Sequence, residues 1–469
     1  MYLPLHRLFR RAPLQSTLQR SPRADIGRHS TCRSRACCRQ GANRATIAQF
    51  PLIEASLAAP SHALAAFRHR DYRWLWCGTF FSTAAQWIQQ ATLGWVVYEL
   101  TESPALLGAV LGVRAIPMLL LAPVSGLVAD RFDRRRALAL SQIAPAGVSI
   151  ILAALLARNA VEIWHLFAFS LIGSSGTVFE RTLRNTLVFD VVPRAEAANA
   201  VALNTIAFSV ARTLGPAVAG ILIATVGPAW NFAIQGATYA GVAASAMMVR
   251  VAPRRAARHG ASAWRSMFVG LRFAATHPVV RVIVIVGLVP PLLLIPSFSA
   301  LMPVFAADVF RTGPEGLGLL LSAVGAGGIV GGVIAAALSR HDRVGSMQSV
   351  SLLAFAACLI GFALSPSMAV ALVFLVGAGV FEMVLASSTH TSLQMSAPEA
   401  MRGQVTSLLP MFPAFISVGS FAAGVGAQLV GPSALVIGFA VLATLVIGLA
   451  WSQSKAFRDL RMSKLVAGG

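Results

Sequence analysis

The stretch "GLVADRFDRRRALAL", Gly126 to Leu140, closes one apolar run and opens another. Two aspartates and four arginines crowd the seven positions from Asp130 to Arg136, while residues 137–157 carry no charge at all. A dense charged connection between two greasy runs is what a tight loop between membrane helices looks like, and the rest of the chain repeats the plan. Of 469 residues, 56% are hydrophobic and only 12% charged, about half the charged fraction of a soluble domain. The mean hydropathy is +0.71. A spanning helix needs about 20 apolar residues. Runs of that length cover residues 74–98, 104–129, 136–157, 163–186, 197–226, 228–249, 279–307, 315–339, 346–365, 368–392, 404–430 and 432–453. Alternating barrel strands are absent, so the spans are predicted to be helices.

The net charge of +21 invites a nucleic-acid reading, and its distribution argues against one. Ten arginines fall in residues 1–50, ahead of any span. Seventeen more, from Arg131 to Arg402, are assigned to connections after even-numbered spans, Arg181, Arg184 and Arg194 among them, against Arg158 and Arg311 after odd ones. That asymmetry predicts a multi-pass protein of the inner (plasma) membrane with both termini in the cytoplasm. Five cysteines show no metal-ligand spacing, so no metal site is expected.

The expected organisation is a basic extension over 1–66, a six-helix bundle over 67–249, a linker over 250–278, a second six-helix bundle over 279–453 and a tail over 454–469. Within the linker, Trp264, Met267, Phe268, Leu271 and Ala275 fall on one helical face, predicting an amphipathic helix at the membrane surface. The halves align at a steady offset. Pro104, Leu107 and Gly108 map onto Pro314, Leu317 and Gly318, and Gly227-Pro228 onto Gly431-Pro432. A duplicated unit suits rocking of two pseudo-symmetric bundles about a midplane site.

The opening stretch resembles, residue by residue, the span 2–3 signature of the major facilitator superfamily, Gly-x-x-x-Asp-Arg-x-x-Arg-Arg. Here Gly126, Asp130, Arg131, Arg134 and Arg135 carry the pattern, with Asp133 between. "GWVVYELTESPALLG", "RAIPMLLLAPVSG", "LNTIAFSVARTLGPAVAG" and "RGQVTSLL" are similar to its drug- and siderophore-export branch. The resemblance implies a gating latch. Gly126 would let helices approach, and Asp130 would face the N-terminus of span 11, where exposed amides attract a carboxylate. Plain anchoring at the inner face would need the arginines but not two aspartates. Where the second half should repeat the signature, Arg340, His341 and Arg343 replace the acids. Gly215, Pro216 and Gly220 resemble the helix-bend motif of the exporters' fifth span, which implies export against protons. The proton gradient is then the energy source, with no cofactor.

Polar groups inside spans mark the expected substrate path. Gln86, Gln89 and Gln90 share one face of span 1. Arg114 lies in span 2, Asn204 and Arg212 in span 5, and Glu382 in span 10. Arg114 and Arg212 would attract an anionic or hydrogen-bonding substrate, and Glu382 could carry a proton. Structural pairing of these three is the alternative. Asp308 and Glu99 are expected to be solvated. Glu180, Arg181, Arg184 and Asp190, at the end of span 4, would extend the latch.

No phosphate-binding loop with Gly-Lys-Ser/Thr occurs, and no H-E-x-x-H or G-x-S-x-G motif does, so neither ATP hydrolysis nor another enzymatic activity is expected. The expected function is proton-coupled efflux of a small amphipathic compound, a siderophore or drug, by a monomer in the lipid bilayer. A metabolite importer of the same fold, or a non-transporting scaffold or receptor, are the alternatives.

Overall fold

The computed structural model describes residues 64–250, 263–338, 342–396 and 411–460; side chains at 263–268 and at 456 are not described. The described chain is helical throughout. The helices are α1 (Arg70–Thr101), α2 (Pro104–Arg131), α3 (Arg134–Ala157), α4 (Ile163–Val191), α5 (Ala197–Val226) and α6 (Pro228–Met248). A linker helix, Ala263–Thr276, precedes α7 (Pro278–Val309), α8 (Gly313–Ala337), α9 (Val344–Ala363), α10 (Met368–Met395), α11 (Phe412–Val430) and α12 (Pro432–Gln453).

Among the described residues, nine of these helices are long and apolar enough to cross a membrane. The remaining three expected spans, α1, α4 and α6, are unbroken helices of 32, 29 and 21 residues that carry more polar side chains. Arg181 and Arg184 lie inside α4, three turns or less from its end, and not in the connection after it. The arginine asymmetry persists without them.

Loop chemistry ends the helices where Gly, Pro and Ser predict. Ser103 caps α2, accepting from the Leu106 amide at 3.3 Å, with Pro104 in the first turn. Gly227 and Gly431 both adopt φ +87°, open to glycine, before the prolines that begin α6 and α12. Pro290 and Pro291 open a π-helical turn in α7, because each lacks the amide that a regular turn needs.

The duplication extends to contacts. A Cβ on Gly108 would lie 2.6 Å from the Ser420 carbonyl, and one on Gly424 2.4 Å from that of Pro104, so α2 and α11 touch backbone to backbone. On the opposite seam, a Cβ on Gly318 would lie 2.7 Å from the Pro216 carbonyl, and one on Gly220 2.5 Å from that of Pro314. Gly108 and Gly318, like Gly220 and Gly424, occupy matching places in the two halves. The α2–α11 and α5–α8 seams are therefore copies of one contact. On its other side α8 presses Gly327 and Gly331 against the α10 carbonyls of Val376 and Val380. The glycines of α8 serve close packing on both flanks.

The first bundle begins before residue 67, because Ala66 is fully buried and its amide donates to Asn199 Oδ1 at 3.1 Å. Past α12 the described residues 454–460 pack back onto the bundle: Phe457 is buried, and the Gly345 amide donates to the Leu460 carbonyl at 3.4 Å. In the linker helix Ala274 is buried while Leu271 and Ala275 are exposed. The basic extension over 1–63 lies outside the described residues.

Candidate functional site

A cavity of about 350 Å³ opens between the halves, lined by side chains of α1, α2, α4 and α5 from the first and α7, α8, α10 and α11 from the second. Its apolar walls include Trp87, Phe208, Phe298 and Ile416, and its charged groups are Arg114, Arg181, Arg212 and Glu382. About half of the lining residues are polar or charged, a mixed lining that suits a small molecule with both apolar and polar parts.

Arg212 and Glu382 meet inside it. The Arg212 Nη2 donates to Glu382 Oε2 at 2.6 Å, linking α5 to α10. The guanidinium also sits over the Trp87 ring, 5.7 Å from its centroid, a cation–π contact. One turn on, Pro216 has no amide to donate to the Arg212 carbonyl, and Gly325 of α8 packs there, its Cβ position 2.9 Å from that oxygen. Gly215 fits α5 against α1, with a Cβ position 2.7 Å from Trp87 Cβ. The helix-bend motif thus sets α5 against α1 and α8 and holds Arg212 at the junction.

Gln86 and Gln90 line the cavity, one turn apart. Gln89 does not: it is buried in the packed side of α1, 6% exposed, because it sits 100° round the helix from Gln90. Asn204 is likewise away from the lining, with its Oδ1 buried and unpartnered among the described residues. Gln86 belongs to a buried cluster that spacing in α4 could have shown. Glu180 pairs with Arg184 one turn on and accepts from Ser82, while Gln86 Nε2 donates to Glu180 Oε2 at 3.1 Å. Arg184 Nη2 in turn donates to Ser82 Oγ at 3.0 Å. These charges cancel locally. Glu180 and Arg184 are buried against α1 instead of extending the charged loop.

Asp190 does extend it. Arg134 Nη1 donates to Asp190 Oδ2 at 2.5 Å and Arg134 Nε to the Ala129 carbonyl at 2.9 Å. Asp133 caps the start of α3, accepting from the amides of Arg135 and Arg136 at 2.9 and 3.3 Å. Arg135 pairs with Asp133 at 3.2 Å and donates to the Val249 carbonyl, at the end of α6, at 2.9 Å. The Arg135 guanidinium, with the two capping amides, holds the Asp133 carboxyl below the usual carboxylate range. These bonds tie α2, α3, α4 and α6 together within the first half. Asp130 and Arg131 are exposed, without a partner among the described residues. The expected partner of Asp130, the start of span 11, lies outside the described residues. So do Arg340 and His341. Beyond its own stretch of helix, no described heavy atom lies within 4 Å of a Cβ built on Gly126, so no described helix makes the close approach expected there.

The halves are also joined at the arginine-poor end. The Tyr98 hydroxyl donates to Asp308, and Ser103 Oγ to Gln428 Oε1 at 3.1 Å. Asp308, expected to be solvated, is exposed and is also tied across the halves. Tyr98 and Asp308 share the offset of Gly108 and Gly318, so the pair straddles the pseudo-twofold axis.

Comparison with known proteins agrees with this fold. A family model described as transmembrane secretion effector matches residues 61–463. The staphyloferrin A transporter of Staphylococcus aureus is 23% identical over 362 residues, 76% of this chain and 90% of that protein. A multidrug efflux pump, Tap, of Mycolicibacterium fortuitum is 27% identical over 355 residues, 72% of this chain and 83% of that one. An enterobactin exporter of Shigella boydii is 24% identical over 348 residues, 72% and 81% of the two chains. Among solved structures, a bacterial homologue of the human lysosomal transporter Spinster superposes with a TM-score of 0.67 at 15% identity, over 84% of this chain and 98% of that one. A D-xylose–proton symporter gives 0.64 at 15%, over 82% and 98%.

Proposed function

Because the chain belongs to the transmembrane secretion effector family of the major facilitator superfamily, we propose that it exports a small amphipathic molecule, of siderophore or drug class, in exchange for protons. It is a multi-pass membrane transporter with a small-molecule cargo. The finer reading places the arginine-rich end in the cytoplasm, on the charge asymmetry of the loops, and lets a single chain complete the pathway. Similarity to exporters of siderophores and drugs supports the direction.

The observation that carries the proposal is the Arg212–Glu382 pair, which joins the halves inside the cavity. A carboxylate there loses its ionic tie to the other half when it takes up a proton and regains it when the proton leaves. The close glycine seams and the Tyr98–Asp308 bond seal the outer side in this state. Closing the inner side would bring the exposed Asp130 onto the start of span 11, the partner expected from the sequence, completing the latch.

The test is cellular accumulation of a panel of siderophores and antibiotics, with and without the gene. Lower accumulation in the expressing cells, abolished by an uncoupler, is the expected outcome. Accumulation that never differs across the panel removes the export reading in favour of import or a scaffold.

A further inference from the structure

The cavity's charges do not balance. Arg212 is neutralised by Glu382 at 2.6 Å and covered by Trp87. Arg114 and Arg181 also line the cavity, yet neither guanidinium makes a hydrogen bond or an ion pair with any described residue. Arg114 lies within α2, which is long and apolar enough to cross a membrane, and Arg181 within α4, the more polar helix expected as span 4. Arg114 stands in the two-residue interruption of α2 between Gly112 and Ala115, and Arg181 lies a turn from Thr177 on α4, which also lines the cavity. The Tyr239 hydroxyl, which accepts from Gln235 Nε2 at 2.8 Å, lies within electrostatic range of Arg114 and close to Thr177. The neighbouring pair Glu180–Arg184 is already closed upon itself and offers Arg181 no acid. An intramembrane cation is costly and is retained where it faces a partner or a wet path. Among the described residues no acid pairs with either guanidinium and no acceptor hydrogen-bonds to it.

We propose that Arg114 and Arg181 form an anion-binding corner of the cavity, which takes a carboxylate-type group of the transported molecule. Arg212, spoken for by Glu382, is not that group's first contact. The apolar wall of Trp87, Phe298 and Ile416 receives the rest of the molecule. Cargo is thereby selected for negative charge: a carboxylate gains charge-assisted bonds from a guanidinium fork, whereas a cationic drug meets two like charges. The inference rests on the transport reading of this cavity and narrows its substrate class. It also promotes Arg181 from loop anchor to specificity-determining residue.

The test uses the purified full chain in neutral detergent and needs no knowledge of the natural cargo. The probes are citrate, a tricarboxylate, and trimethyl citrate, its uncharged ester, with binding read by calorimetry and by the shift in unfolding temperature. Citrate should bind wild type, more weakly as salt rises, and the ester should not. Arg114→Gln and Arg181→Gln should each weaken citrate by about tenfold, the scale of one lost bond to a charged group. Arg114→Lys and Arg181→Lys should retain most of the affinity. Glu382→Gln, which frees Arg212, should tighten it. No citrate effect on wild type, equal binding of ester and citrate, or wild-type citrate affinity in both glutamine variants overturns the proposal, and the wild-type comparisons hold even if a variant misfolds. Citrate binding as expected without export in cells defeats the transport reading alone. Export without charge selection defeats the anion corner alone.

Discussion

Asp133 shows what one residue of the charged loop does. Its carboxylate caps α3 and faces Arg135, with its side chain 39% exposed. Loss of a capping side chain costs about 1 kcal/mol, so Asp133→Ala should unfold at a lower temperature in detergent without altering cavity binding. The pH dependence has a definite sign. The folded carboxyl titrates below its unfolded value, near 3.9, so the charge stabilises the fold at every pH above that value. The contribution is lost as pH falls through the lower, folded value. Exposure limits it to about 1 kcal/mol or less. The stability difference between wild type and Asp133→Asn, measured by thermal unfolding from pH 7 to pH 3, should stay flat to about pH 4 and then shrink. A difference that grows on acidification would mean that Asp133 is held by something other than Arg135 and the α3 amides. Arg134 has a stronger claim: its side chain and that of Asp190 are 18% and 9% exposed. Arg134→Ala should cost about 2 kcal/mol, the scale of a lost bond between charged groups.

Between helices, glycine is the working part. Gly424 brings α11 to within contact of the α2 backbone, with the Gly108 Cα 2.6 Å from where its Cβ would be. A larger side chain cannot fit without parting the helices, since overpacking costs about 1–3 kcal/mol. That penalty applies only while the seam is closed. Gly424→Val should therefore shift the population about tenfold or more toward the state open at the arginine-poor end. Thiol labelling of Tyr98→Cys, beside the seam, should become faster in that background; unchanged labelling would mean that the seam stays shut in every state. Much of this level was legible in advance. Apolar run lengths predicted where helices lie, and Gly-Pro pairs predicted the loops, because both depend on local chemistry. The offset that aligned Pro104 with Pro314 also pairs Tyr98 with Asp308, so a contact across the axis was latent in the repeat. What stayed hidden depends on rotation and depth. Gln86 and Gln90 face the cavity while Gln89 does not, because packing with α5 and α6 sets the turn of α1. Arg181 was grouped with the loop because counting charges by connection says nothing of how far a helix extends.

At the scale of the whole molecule, the Arg212–Glu382 pair is where stability and coupling can be separated. Both side chains are nearly buried, 13% and 12% exposed, so removing one leaves the other charged and uncompensated. Such a loss costs about 3–5 kcal/mol when the site is buried, whereas removing both partners is often close to neutral. Glu382→Gln and Arg212→Gln should each lower the unfolding temperature, and the double variant should recover most of it. Transport should not follow stability. If Glu382 carries the proton, the double variant is well folded and yet unable to move cargo against a gradient when a pH difference is applied in vesicles. Exchange of cargo down its own gradient persists. Coupled transport by the double variant would assign the proton to another group and leave the pair as a structural tie between the halves. A double variant no more stable than the singles would show that Trp87, over the guanidinium, and the α8 backbone behind it hold Arg212 independently of the acid.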